Sequence, residues 1–384
     1  MDCLKRTWAE IDIDALVHNF NLIKAHTNSK IAAVIKANAY GHGAVCVAKA
    51  LCTAGAEMFA VSNLSEAIEL RNNGITVPIL ILGYTPASAA NLLSEHKFIQ
   101  TVYSYEYAKE LSDRANLCGA VIECHLKLDT GMTRIGFDCR DMVLNGFGEM
   151  LQSCSLSGLN VTGAFTHFAT ADEDNDFTDK QYERFITATD KLKANNVTLP
   201  CLHCCNSAGI LAHSDKHLSL VRPGIILYGL KPNSDMDAQL DFKPVMSFKS
   251  TVSLVKNIKK GDAVSYGRRF VADRDMTVAT VSVGYADGYP RLLSNKGYMM
   301  INGKKAPILG SVCMDQTVVD VSGICVKIGD EVTLFGKEIL ADEIAALCDT
   351  INYELVCGVS HRVPRVYFEN GNEIKTVDYI LNKQ

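Results

Sequence analysis

Lys36 closes the apolar run Ile31-Ala32-Ala33-Val34-Ile35. Lysine is seldom placed against so apolar a segment without a task. Burial would lower its pKa and free the amine to attack a carbonyl, as Schiff-base lysines do; the alternative is a lysine that marks the exposed end of a strand. Asn38-Ala39-Tyr40-Gly41-His42-Gly43 follows at once. A Gly-x-Gly beside a helix start lets backbone amides approach an anion. It is neither a dinucleotide fingerprint, since Cys46 stands where the third glycine belongs, nor a P-loop. Arg222-Pro223-Gly224-Ile225 joins a cation to a glycine that permits close backbone approach to a phosphate, and Ser207 offers a hydroxyl shortly before it. An ordinary turn with an exposed arginine has the same sequence. Cys201-Leu202-His203-Cys204-Cys205 suggests zinc, but no second ligand pair stands at a suitable spacing. The better reading is small cysteines on a buried strand, with no metal.

The elements that must position these residues show first as apolar runs. Strands are expected at Ile31–Ile35, Met58–Val61, Pro78–Leu82, Phe98–Val102, Val121–Leu128, Val161–Phe165, Leu202–Cys205 and Leu218–Val221. Helical patterns fall between most of them, among them Ala44–Thr53, Leu64–Asn72, Tyr105–Asn116 and Asp179–Asn195. Eight such βα units fit a (β/α)8 barrel, with an open doubly wound sheet as the alternative. In a barrel, Lys36, Asn38, Tyr40, Arg134, His167, Asn206, Ser207, Arg222 and Gly224 all follow strands and would converge on one mouth. Beyond residue 235 the texture becomes β-rich. Val252–Val255, Met276–Val283, Tyr298–Ile301, Gln316–Val321 and Glu331–Phe335 are separated by turn signals such as Asn302-Gly303-Lys304, and one helix is expected near Ala341–Leu347. The expected division is a barrel over residues 1–235 and a mainly β domain over 236–384.

The chain of 384 residues suits two domains, and 48% hydrophobic content supplies their cores. A net charge of −5 argues against nucleic acid as a partner. No run of 18 apolar residues is present, so no membrane span is expected. Met1-Asp2-Cys3-Leu4-Lys5-Arg6 lacks the apolar stretch of a signal peptide, and the fourteen scattered cysteines read as reduced thiols of a cytoplasmic protein.

Ala33-Val34-Ile35-Lys36-Ala37-Asn38-Ala39-Tyr40-Gly41-His42-Gly43 closely resembles the cofactor-lysine signature of alanine racemases. Leu126–Gly136, Thr166-His167, His203–Ser207 and Arg222–Gly229 resemble further motifs of that family. So do Val264–Gly267, Gly284–Arg291, Val312–Gln316, Asn352-Tyr353-Glu354 and Arg362–Arg365. The match runs in order through both expected domains. The resemblance implies a (β/α)8 barrel with a β-rich C-terminal domain, pyridoxal phosphate, and a head-to-tail homodimer with shared active sites. It implies that Lys36 carries the cofactor and serves as one base, while Tyr266 from the partner subunit serves as the other. His167 would help a phenol with an ordinary pKa near 10 to act at neutral pH. Arg222 would face the pyridine nitrogen and keep it unprotonated. Arg134 would contact the phenolic oxygen side of the ring and the substrate. Tyr40, Ser207, Gly224, Ile225 and Tyr353 would bind the phosphate. Met314 and Tyr285 would contact the substrate and line its entrance. Lys127 matches a position that is often carbamylated.

The implied reaction interconverts L-alanine and D-alanine, supplying D-alanine for peptidoglycan. A serine or broad-specificity racemase is the alternative, against which Tyr353 argues by leaving little room for a hydroxymethyl group. A pyridoxal-phosphate carrier without catalysis would lack the β-rich domain and Tyr266. A two-domain amino-acid decarboxylase would differ around Lys36.

Overall fold

The computed structural model describes residues 6–233, 236 and 240–381; the expected domain boundary at residue 235 lies outside the described residues. Eight parallel strands pair in chain order: Lys30–Val34, Met58–Val61, Ile79–Ile81, Ile99–Val102, Ile122–Asp129, Leu159–Phe165, Cys201–His203 and Leu220–Val221. The eighth returns to the first through Val221 opposite Ile31. Between the seventh and eighth, the Ser219 amide donates to the Leu202 carbonyl at 3.2 Å and the Arg222 amide to the Cys205 carbonyl at 3.0 Å. These bonds bridge the seam of a nearly closed (β/α)8 barrel. Its strands are legible because both faces are covered, so each reads as a short continuous apolar run.

Two expected elements shift for local reasons. The helix expected from Asp179 starts at Asn175, because the Asp174 carboxylate accepts the Phe177 amide at 3.0 Å and caps it earlier. The strand expected through Cys205 ends at His203. Cys204 and Cys205 turn inward, buried, with both thiols against the Lys216 carbonyl.

The rest of the chain builds a separate, mainly β sheet of nine strands. Its spine, Met246–Ile258, is far longer than the expected Val252–Val255. It pairs antiparallel with Glu331–Phe335, with Met276–Val281 and with Thr7–Asp12. The strand expected through Val283 stops at Val281, where the Val283 amide turns back onto the Val281 carbonyl. Thr7–Asp12 also runs parallel to Arg365–Glu369, so the start of the chain lies in the sheet of the second unit. The two units are tied beside Lys36. Buried Arg365 donates from Nε to the Gly41 carbonyl at 2.9 Å, and Tyr367 Oη donates to the His42 carbonyl at 3.0 Å. A side chain at Gly41 would collide with the Val356 carbonyl.

Candidate active site

The first barrel strand gives way at Ile35 to an unusual turn. Ala37, Asn38, Ala39 and Tyr40 all have φ between 51° and 53°, one turn of left-handed helix built from non-glycine residues. Such a conformation costs about 1–2 kcal/mol per residue and persists only where the surroundings over-determine it. They do so here. Glu66 accepts the Ala37 amide from one carboxylate oxygen and the Ser62 amide from the other, each at 2.7 Å. Asn38 accepts the Ala44 amide at 2.8 Å and donates to Tyr379 Oη at 3.0 Å. The turn sends both Lys36 and Tyr40 into one cavity.

That cavity, about 500 Å3, lies at the C-terminal ends of the barrel strands. It brings together Lys36, Tyr40, Lys127, Arg134, His167, Asn206, Ser207, Arg222, Gly224, Ile225 and, from the second unit, Tyr353. Burial and the Arg134 charge lower the Lys36 pKa, which favours a free amine. Lys127 is buried, donates to the Leu128 carbonyl at 2.8 Å, and is pushed down to about 7 by burial and the Arg222 charge. His167 is held neutral by burial and by Arg222, Lys127, Arg134 and Lys36 around it. Arg222 spends three of its five N–H groups below the cavity. Nη1 meets His203 Nδ1 at 2.7 Å, and Nη2 donates to the Thr166 carbonyl at 2.8 Å and the Cys204 carbonyl at 3.0 Å. Burial lowers it only to about 10, so it remains a cation at neutral pH.

At the opposite wall, Ser207 Oγ accepts the Gly224 amide at 2.9 Å. A Cβ at Gly224 would press into the Tyr40 hydroxyl, so the glycine keeps a hydroxyl-lined recess open. Two hydroxyls, a backbone glycine and the phenol of Tyr353 form a neutral donor set of the kind that suits a phosphate.

The alanine racemase N-terminal domain family matches residues 11–232, and the alanine racemase C-terminal domain family matches residues 245–367. This chain belongs to the alanine racemase family. It is 42% identical to alanine racemase 1 of Clostridium acetobutylicum, over 98% of this chain and 99% of that one. It is 44% identical to the alanine racemase of Clostridium perfringens over the same shares. The structure of alanine racemase from Clostridium difficile 630 superposes with a TM-score of 0.93 at 41% identity, covering 99% of this chain and all of the other. That of the Bacillus anthracis alanine racemase with bound L-Ala-P does so with a TM-score of 0.93 at 36% identity, covering both chains fully. The chain is therefore an isomerase of the amino-acid racemase class.

Three residues implicated by the family motifs stand apart from the cavity. Tyr266, Tyr285 and Met314 lie on the β-rich unit, 77%, 42% and 53% exposed. They form one patch. The Tyr285 amide donates to the Cys313 carbonyl, Ser311 Oγ to the Tyr266 carbonyl, and the Ala286 amide to the Met314 carbonyl. Buried Asp287 anchors it, accepting from Arg362 at 2.7 Å, Arg6 at 3.0 Å and the Gly284 amide at 3.0 Å. Two further residues of the cavity region escaped the sequence reading. Glu66 had a signal, since Asn63-x-x-Glu66 has capping-box spacing, but its reach to Ala37 is a tertiary contact. His125, beneath Arg222, had none. Among the described residues no helix is long and apolar enough to cross a membrane.

Proposed function

We propose that this chain interconverts L-alanine and D-alanine with pyridoxal phosphate, as a cytoplasmic homodimer in which each cavity is completed by the partner's β-rich unit, and that the D-alanine serves peptidoglycan synthesis. The observation that carries the reading is one cavity lined by a lysine whose pKa burial lowers, a recess of neutral hydroxyls beside Gly224, and the buried arginine cation Arg222. When bound, the cofactor supplies the electron sink that acidifies the substrate α-C–H bond. Lys36 would hold it, Tyr40, Ser207, Gly224, Ile225 and Tyr353 would take its phosphate, and Arg222 and Arg134 would flank its ring.

Racemisation requires a proton removed from one face of the α-carbon and returned on the other. Lys36 Nζ serves one face. Tyr266 Oη of the partner subunit serves the other, and the neutral His167 nearby offers a ring nitrogen through which that phenol can be tuned. Met314 and Tyr285 of the partner subunit complete the substrate pocket and its entrance, with Arg134 on the substrate carboxylate side. With its pKa pushed down to about 7, a substantial share of Lys127 is the free amine at neutral pH, which is the form that carbon dioxide carbamylates; the resulting anion would orient Arg134. Tyr353 narrows the pocket toward a methyl side chain. Chiral chromatography of a panel of L-amino acids after incubation with reconstituted enzyme tests the reading. D-alanine is expected as the main product; no D-alanine, or D-serine in excess of it, overturns the assignment.

A further inference from the structure

The barrel interior below the cavity holds polar groups to which the proposed chemistry assigns no task. His125 on the fifth barrel strand and His203 on the seventh are both buried. Nδ1 of His125 lies 2.9 Å from Nε2 of His203, and Nδ1 of His203 lies 2.7 Å from Nη1 of Arg222. Proton positions follow from donor chemistry. A guanidinium only donates, so His203 accepts at Nδ1. A neutral imidazole that accepts at Nδ1 carries its proton on Nε2, so His203 donates to His125 Nδ1. His125 must then accept and keep its own proton on Nε2. Each ring has one permitted tautomer and neither can be charged without setting donor against donor.

The surroundings enforce the same state. Burial and the Arg222 charge push His125 down to about 4, and burial with Arg222, His125 and Lys127 also holds His203 well below a free imidazole. Phe165 stacks on His203 with ring centroids 4.8 Å apart at 6°. A side chain at Gly163 would strike the His125 ring, so the glycine makes its berth. Cys201 Sγ brings a third possible metal ligand within 4.8 Å of the two imidazoles. A dication there would face the Arg222 and Lys127 charges at low dielectric and would have to displace the His203 Nε2 proton. The cluster is better suited to ordering protons than to holding a metal.

We infer that His125 is a positioning residue: by accepting from His203 Nε2 it fixes the tautomer whose Nδ1 accepts from Arg222, and so keeps that arginine a charged, oriented donor at the cavity floor. The inference rests on the reading that Arg222 faces the cofactor ring nitrogen. Its first test does not. Cofactor-free protein labelled with 15N-histidine is compared by long-range proton–nitrogen NMR in wild type, His125→Asn and His125→Phe. The asparagine oxygen can accept near the Nδ1 position; phenylalanine cannot. His203 is expected as the pure Nε2–H tautomer in wild type and His125→Asn, and as a mixture in His125→Phe. A wild-type His203 protonated at Nδ1 overturns the inference even if the phenylalanine variant fails to fold, in which case His125→Leu replaces it. In the holoenzyme, His125→Phe should lower kcat about tenfold with KM little changed, the order expected of one buried donor left unpaired, and His125→Asn should restore most of the rate. A changed tautomer with unchanged kcat overturns the link through Arg222, whose own role is judged separately by its substitution.

Discussion

At the scale of residues, buried Arg222 is a fixed cation among groups whose charged forms burial disfavours, Lys36, Lys127 and His167. Arg222 stays charged although buried because two carbonyls and His203 accept from it. A cation at that place cannot share a proton with a pyridine nitrogen, whereas a carboxylate can. Arg222→Glu should therefore lower racemisation and raise transamination, read as pyruvate formed from alanine; unchanged racemisation with no pyruvate would remove the electrostatic account of this arginine. The neutral histidines have a second consequence. His42 is held down to about 3 by burial, His125 to about 4, and His167 and His203 are also depressed. A folded-state pKa below the unfolded value of about 6.5 means the unfolded chain binds more protons between the two. That stability is complete above pH 6.5 and is lost as pH falls toward 4. One such histidine accounts for on the order of 3 kcal/mol at the bottom of that window. The urea midpoint should thus fall steeply between pH 7 and pH 4.5; a flat profile would mean these rings are not buried neutral.

At the scale of elements, the left-handed turn after Lys36 is the part of the fold most dependent on its neighbours. Glu66 supplies both carboxylate oxygens to it and to the adjoining strand end. Glu66→Ala should destabilise the protein by about 1–3 kcal/mol, the effect of leaving amides without an acceptor, and loosen cofactor retention. Ser65→Ala, on the exposed side of the same helix, should do neither; thermal melts and dialysis against buffer check both. The same element shows what a sequence can and cannot reveal. The barrel strands were legible because burial on both faces writes each as a local apolar run. Lys36 was legible as a polar residue closing such a run. The left-handed geometry was not, since three of its residues are Ala37, Asn38 and Ala39 and the acceptor that stabilises it lies 29 positions away from Ala37. The strand Thr7–Asp12 was missed for a related reason: its partners are Met246–Ile258 and Arg365–Glu369, and nothing local marks it as part of the second sheet. His125 looked like one more residue of an apolar strand until the fold set His203 beside it.

At the scale of the whole molecule, the residues of the proposed site lie in two separate places on one chain. The cavity contains Lys36, while Tyr266, Tyr285 and Met314 stand exposed on the β-rich unit, with Leu292 also exposed there. A tyrosine 77% exposed has no reason of its own to be set on a patch anchored by buried Asp287. In the proposed homodimer a twofold partner would supply the reason, because an isologous pairing would deliver each patch to the other chain's cavity in a single operation. Complementation tests this directly. Lys36→Ala removes the amine from the cavity, and Tyr266→Phe removes one exposed hydroxyl while keeping the ring, so both chains should fold and both homodimers should be inactive. In a mixed dimer, one cavity carries both lesions and the other carries neither. Co-expressing the two variants with different tags and isolating the doubly tagged dimer should recover up to about half the wild-type rate, the share set by one intact site of two. If Tyr266 acted in its own chain, each cavity of the mixed dimer would carry one lesion and no activity would return.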